Sequence, residues 1–372
     1  MKTLGIIIVI LSLFVAACTM QVSNSEPIKI GAIMALTGDT AVIGQPVADA
    51  VNLAVKEIND KGGINGRQVQ VVTEDGGCDA GSATTAMQKL VSQDKVIAVI
   101  GAICSSATLA AAPIAEESGT VLISPTSTAA KVKDAGDYVF RVIASDSLQG
   151  KIGAQLAKHL GYNTAAVLNI NNDYGNGLAD VFVTEFTKLG GEVVLKEAYA
   201  AGETNFRTLI TKAADANPDF IYFPTHPVEA GLFLKQKEEL DNTIPVLGSE
   251  ATKDQTVIDT AGTGAEGVYI TFPKPAVGSP EYVTFEADYK AATGNDPGTF
   301  SAEGYDAAKI LMWAVGNSDG TKDGVKDRLY KAGIYNGASG SFEFDSYGEV
   351  EKPYTVFVIE NGQFVQHDEL ME

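Results

Sequence analysis

Val96 to Ser106, read as VIAVIGAICSS, constrains the fold more than any other stretch of the chain. Five of its first eight residues are Val or Ile, and it is bounded by Asp94-Lys95 on one side and by Gly101 and two serines on the other. An unbroken apolar run that stops at a tight turn reads as a parallel strand buried on both faces. The next residues, Ser106 to Ala112, are strong helix formers behind a serine, so Ser106 is expected to cap a helix. A strand that breaks into a helix N-terminus presents unpaired N–H groups and a positive dipole end. With Ser105 and Ser106 at the turn, it is a natural seat for a small anion such as a carboxylate. The alternative is that the serines do no more than cap the helix.

The same strand-to-helix rhythm recurs along the chain. Ile28 to Leu36 reads as a strand, and Pro46 is expected to open a helix through about Ile58. Gln68 to Thr73 is strand-like and Asp79 to about Ser92 helical. Pro113 is expected to kink the helix after the organising strand, and Val121-Leu122-Ile123 is a short buried strand. After Tyr138 to Ile143 the rhythm restarts, with helices over about 147–160, 175–189, 205–216 and 228–240 and strands over 165–170, 193–198, 220–223 and 245–248. Strands alternating with helices of this length build parallel sheets from βαβ units. Two such blocks predict two doubly wound lobes.

The remainder does not suffice for a third lobe. Helices are expected over about 280–292 and 300–316, strands over 338–344 and 354–359, and a hairpin at Asn361-Gly362. These pieces are expected to complete the two lobes, giving 28–145 plus 275–350 for the first and 146–274 plus 351–372 for the second. Three hinge crossings would then fall near 143–147, 272–276 and 348–353. Trp313 sits in the apolar stripe Ala307, Ile310, Leu311, Ala314 and is expected in the core.

The chain has 372 residues and a net charge of −20, which disfavours nucleic acid and anionic lipid as partners because phosphate contacts need clustered Lys and Arg. Residues 1–17 read as a signal peptide: Lys2 precedes a nearly unbroken apolar run from Leu4 to Val15, too short to span a bilayer. Val15-Ala16-Ala17-Cys18 resembles a bacterial lipobox, so Cys18 is expected to carry lipid, with residues 18–27 as a polar tether. An ordinary signal peptide is the alternative. Cys78 and Cys104 remain, and in an oxidising compartment they suggest one disulfide rather than two free thiols. Closing a loop of that length adds roughly 3 kcal/mol by chain-entropy reasoning. No CxxC occurs and His159, His226 and His367 are far apart in sequence, so no metal site is expected.

Ligands in open α/β sheets sit beyond the carboxyl ends of the strands. Those ends carry Thr37-Gly38, Cys104-Ser105, Pro125 to Thr128, Asn171 to Tyr174, Thr225-His226 and Ser249-Glu250. They are rich in hydroxyls, with an acid and a tyrosine among them. No GxSxG, P-loop, HExxH or GxGxxG after the first strand is present, and no histidine is obviously paired with Ser105, so enzymatic activity is not expected.

At these strand ends the chain resembles the extracytoplasmic solute-binding proteins of branched-chain amino-acid ABC transporters, which have the type I periplasmic-binding-protein fold. The resemblance rests on Ile28 to Gly31, Thr37-Gly38, NDKGGING at 59–66, EDGGCD at 74–79, GAICSS at 101–106, Asp173-Tyr174-Gly175 and Gly248-Ser249-Glu250, spread over residues 27–360. It implies that Ser105 and Thr128, with backbone at Thr126, bind the α-carboxylate of an amino acid. Tyr174 would reach over from the second lobe, and Glu250 would take the α-ammonium. It also implies a Cys78–Cys104 pair. The sequence departs from the family at two pocket positions: Ile43 and His226 stand where aromatic side chains are common. Ile43 suits an aliphatic ligand, whereas His226 adds a polar group.

The expectation is therefore a binding protein without cofactor, a monomer anchored outside the cytoplasm only through lipid. It would capture an amino acid, branched-chain or otherwise aliphatic, and deliver it to an ABC permease. The alternative is a sensing module for an amino acid or related carboxylate that acts through a separate receptor. At single residues, Tyr174 as a packed core tyrosine, Glu250 as a solvated turn acid and His226 as a structural histidine are the competing readings.

Overall fold

In a computed structural model of the protein, residues 26–371 are described; the expected signal peptide, the expected lipid site Cys18 and most of the expected tether fall outside them. The first block runs β1 (Ile28–Met34), α1 (Ala41–Asp60), β2 (Val69–Asp75), α2 (Ala80–Lys89), β3 (Ala98–Ile100), α3 (Ser105–Ser118), β4 (Val121–Ser124) and β5 (Val139–Arg141). The second runs α4 (Asp146–His159), β6 (Thr164–Ile170), α5 (Asp173–Lys188), β7 (Glu192–Tyr199), α6 (Arg207–Asp215), β8 (Phe220–Phe223), α7 (Pro227–Glu239), β9 (Val246–Gly248), α8 (Gln255–Ala261) and β10 (Tyr269–Pro273). The remainder forms α9 (Pro280–Thr293), α10 (Ser301–Asn317), α11 (Lys322–Tyr330), β11 (Tyr335–Gly337), β12 (Gly340–Phe342), β13 (Tyr354–Glu360) and β14 (Gln363–Gln366).

The first sheet is parallel, in the order β2-β1-β3-β4-β5. The second repeats that order as β7-β6-β8-β9-β10 and then gains β13 and β14, both paired antiparallel. Each sheet therefore reverses direction beside its first strand, and the crevice at that reversal lies beyond the strand ends. The chain passes from the first sheet to the second after β5, returns after β10, and crosses again between β12 and β13. Helix α10 lies against α1 so closely that a Cβ at Gly304 would stand 2.7 Å from Val47 Cγ1.

Several sequence expectations are corrected. Helix α1 begins at Ala41, and Pro46 lies within it. Its start is set by the turn after β1, where the Thr40 carbonyl accepts from the N–H groups of Ile43 and Gly44. Helix α3 starts at Ser105, one residue before the expected cap; Cys104 is the N-cap, with no side-chain cap bond, and Pro113 is carried inside a continuous helix. The strand expected over 338–344 is instead a two-strand hairpin of β11 and β12. Elements α8, β10 and α11 were not anticipated. Trp313 is 40% exposed. On a 100° helical step it falls about 120° from the stripe of Ala307, Ile310, Leu311 and Ala314, which is buried.

Cys78 and Cys104 form a disulfide, with Cα atoms 5.2 Å apart, tying the turn after β2 to the start of α3.

Both blocks use one device where the first strand turns into its helix. A Cβ at Gly44 would lie 1.9 Å from the Ala35 carbonyl oxygen, and one at Gly175 would lie 2.2 Å from that of Ile170. Backbone occupies the side-chain space, so neither position tolerates a methyl group without a shift. Gly175→Ala is expected to cost about 1–3 kcal/mol, read as a lower urea midpoint at unchanged slope. An unaltered midpoint would contradict the close approach.

Candidate functional site

The loop after β4 is built from its own hydroxyls. Ser124 Oγ donates to the Ala102 carbonyl (2.7 Å) and accepts from the N–H groups of Ser127 (3.0 Å) and Thr126 (3.3 Å). Thr126 spends its hydroxyl on the Ile103 carbonyl, 2.5 Å away. Arg141, at the end of β5, is fully buried beneath this loop. Its Nη1 donates to the carbonyls of Ser127 (3.1 Å), Thr128 (2.7 Å) and Ala129 (3.0 Å), and Nη2 pairs with Glu349. The serines after β3 are linkers rather than caps. Ser105 Oγ accepts from the Ala129 N–H (3.1 Å), and Ser106 Oγ accepts from the Asp173 N–H (3.1 Å) at the start of α5, across the cleft.

From the opposite side, Tyr174 sits in the first turn of α5 and shares a 2.6 Å hydrogen bond with Ser249 Oγ. Its ring stacks on that of His226, centroids 5.5 Å apart. His226 precedes α7, and its Nε2 lies 3.2 Å from Asn172 Nδ2 and 3.9 Å from Cys78 Sγ. Burial pushes its pKa down to about 4, so the ring is neutral. Glu250 follows β9 and reaches Thr128 Oγ1 at 3.5 Å with Oε1. Ile43, Ser105, Thr126, Thr128, Tyr174, His226 and Glu250 therefore converge on one small cavity of about 30 Å³, which Cys104 also lines. Of the competing readings, Glu250 is not a solvated turn acid: it is buried. Tyr174 and His226 are packed and line the cavity at once.

Sequence reasoning missed several contributors. Ile103, Ala251 and Phe300 also line the cavity. Beneath it, Asp146 is fully buried with no partner for either carboxylate oxygen, and Glu250 Oε2 has none. Burial raises the Asp146 pKa well above the usual carboxylate range, and the Glu250 charge adds to this; Arg141 and Thr128 pull the other way. Burial likewise pushes Glu250 up to about 7. The signal that was available is Arg141, a charge inside the otherwise apolar run Val139 to Ile143. A larger cavity of about 390 Å³ lies on the other side of Phe300, and none of the predicted residues line it.

Among the described residues, the ligand atoms of Cys78, Cys104 and His226 approach within 4.8 Å of one another. Both sulfurs are committed to the disulfide, so the cluster offers no thiolate to a metal. No described helix is long and apolar enough to cross a membrane.

The buried acid makes stability depend on pH. Glu250 loses its proton near 4.5 when unfolded and near 7 in the folded protein. Between those values the folded state binds more protons, so the stability of the ligand-free protein falls as pH rises through that window. Asp146 contributes with the same sign. Melting temperatures from pH 5 to pH 8 should decline, and Glu250→Gln should flatten the decline. An identical slope in the variant would contradict the assignment. Arg141→Met strands Glu349 and frees three carbonyls, so it should cost about 3–5 kcal/mol in denaturant unfolding. A change below about 1 kcal/mol would show that the loop does not depend on the guanidinium.

Residues 27–363 match the family described as periplasmic binding protein. The leucine-, isoleucine-, valine-, threonine- and alanine-binding protein of Pseudomonas aeruginosa is 30% identical over 339 residues, 90% of each chain. The crystal structure of the branched-chain amino acid transporter substrate-binding protein of Streptococcus pneumoniae, in complex with isoleucine, superposes with a TM-score of 0.84. It is 30% identical, and the match covers 92% of this chain and 100% of that one. A leucine-binding protein from Thermotoga maritima gives a TM-score of 0.85 at 29% identity, over 91% of this chain and 97% of that one. These relatives are binding proteins, not enzymes, in agreement with the missing catalytic motifs. The chain belongs to the periplasmic binding protein family, with the type I two-lobed α/β fold and an extracytoplasmic place of work.

Proposed function

We propose that the protein captures a free amino acid in the cleft between its lobes and delivers it to the permease of an ABC transporter. The observation that carries this reading is charge placement. The cavity is lined by hydroxyls and by the N-terminus of α3, which suit a carboxylate, and by Glu250, whose Oε2 has no partner; Asp146, joined through its N–H to the Thr128 carbonyl, adds a second carboxylate without partners. An α-ammonium answers the second requirement and an α-carboxylate the first. In this reading Ser105 and Thr128, with backbone at Thr126, hold the carboxylate, Glu250 takes the ammonium, and Tyr174, His226 and Ile43 shape the side-chain end. The names of the relatives support an aliphatic or similarly small amino acid. The hinge is formed by the three crossings, near 143–147, 272–276 and 348–353, which bound lobes of 28–145 plus 275–350 and 146–274 plus 351–372. The protein is exported by residues 1–17 and works as a monomer held to the membrane through lipid on Cys18.

A thermal-shift screen against the twenty amino acids tests the ligand class, since a ligand at 100 times its dissociation constant adds about 2.7 kcal/mol. Glu250→Ala should leave the fold intact and weaken binding by about 3 kcal/mol or more by stranding an ammonium. Calorimetry that finds the variant within about threefold of wild type would remove the clamp. Because an ammonium favours the ionised acid, wild-type affinity should rise from pH 5 to pH 8.

A further inference from the structure

Helix α10 is entered through Pro297-Gly298-Thr299-Phe300, a loop held on the first lobe. Ser301 Oγ donates to the Pro46 carbonyl of α1 at 3.3 Å, and a Cβ at Gly298 would stand 2.7 Å from Pro46 Cβ. Two residues of the loop reach across to the second lobe. Thr299 Oγ1 donates to the Lys253 carbonyl at 2.7 Å, and the Phe300 ring stacks on Phe272 of β10, centroids 5.8 Å apart. Lys253 is fixed from its own side. Its ammonium lies 4.9, 4.7 and 5.4 Å from the ring centres of Phe272, Phe357 and Phe364, all on strands of the second sheet. Its N–H donates to the Glu250 carbonyl at 3.0 Å. The Thr299 bond therefore joins the segment that carries Glu250 to the one that carries Phe300. Both of those residues line the small cavity, whereas Thr299 does not.

We propose that Thr299 is a positioning residue for closure: its hydroxyl, with the Phe300–Phe272 stack beside it, clasps the lobes in the closed form and slows release of every ligand without touching any. The inference rests on the amino-acid reading above. A contact between lobes stabilises the closed state whatever lies inside it. Where the empty protein is mostly open, apparent affinity scales with the closed fraction, so losing the contact weakens all ligands by one common factor. The loss acts on dissociation, because the bond is made after the ligand has entered. A side chain that touched the ligand would instead change the ratios between ligands.

Stopped-flow and calorimetric titration of the exported protein test this, with the amino acids that the thermal-shift screen finds, leucine, valine and alanine first. Thr299→Val keeps the shape and removes the hydroxyl. It is expected to raise each dissociation rate about three- to tenfold, the scale of one hydrogen bond, with association rates and affinity ratios held. Thr299→Ser, which keeps the donor, should restore the wild-type rates. The urea midpoint of the ligand-free protein should stay as in wild type. A midpoint that falls while the rates hold would mean that the bond serves the open and closed forms alike, which overturns the inference. Unchanged dissociation in Thr299→Val overturns it too and leaves the zwitterion clamp standing. An effect confined to one ligand would show that Thr299 touches that ligand and would overturn the common factor. If none of the twenty amino acids binds, the amino-acid reading fails and takes this inference with it.

Discussion

The buried guanidinium of Arg141 holds together what the rest of the site needs. It joins the carbonyls of Ser127, Thr128 and Ala129 to Glu349. Those carbonyls belong to the loop that presents Thr128, while Glu349 belongs to the crossing between β12 and β13. One side chain thus ties the loop after β4 to the crossing between β12 and β13. A lysine ammonium has no planar fork with which to reach both sides. The neighbouring Asp146 begins α4 and donates its own N–H to the Thr128 carbonyl at 2.8 Å, so the acid beneath the cavity and the hydroxyl above it share one anchor.

The repeated strand order explains why residues distant in sequence meet. Ser105 follows β3, Tyr174 and Asn172 follow β6, and His226 follows β8, all at carboxyl ends beside a reversal of strand order, and Glu250 follows β9, the next strand over. Facing the two ends across a cleft brings helix N-termini of both lobes together, and their like dipole ends favour an anion between them. Glu250 lines the same cavity, so a carboxylate stands beside those N-termini.

The fold was legible because its signals are local. Apolar runs of three to eight residues mark β1, β4, β6 and β8, and glycine or proline punctuates the helices. Of the elements missed, α8 is only seven residues long, and β10 and α11 carry mixed signals. β10 reads Tyr-Ile-Thr-Phe-Pro and ends in a residue that breaks strands, and α11 carries five charged residues among nine. The site was legible where strand ends expose hydroxyls and acids, and at the seven positions that line the cavity. It was not legible where a role depends on three-dimensional neighbours. Nothing around Asp146 in sequence says that its carboxylate is buried and unpartnered. Phe300 lies almost 200 residues from Ser105 and enters the cavity from a left-handed backbone turn, φ 65°. Trp313 departs from the expected core because it lies about a third of a turn from the apolar stripe of its helix.

Closure of the lobes acquires its direction from the same buried acids. The ion pair across the cleft is a weak one. Lys131 and Asp173 pair at 3.4 Å, but their side chains are 73% and 37% exposed, and such pairs are worth about 0–1 kcal/mol. The Thr128–Glu250 contact is long at 3.5 Å, whereas Ser106 Oγ accepts from the Asp173 N–H at 3.1 Å and Thr299 Oγ1 donates to the Lys253 carbonyl at 2.7 Å. Against these stands the cost of enclosing Glu250 and Asp146, a desolvation penalty that the Arg141 charge near Asp146 and protonation relieve only in part. An empty protein therefore gains little by closing and has a reason not to. A cation placed between the acids reverses that balance, since the charges that opposed closure then attract across it. The ligand's preference for the closed state is thus larger than its contacts alone would give, because it also removes a penalty built into the empty one.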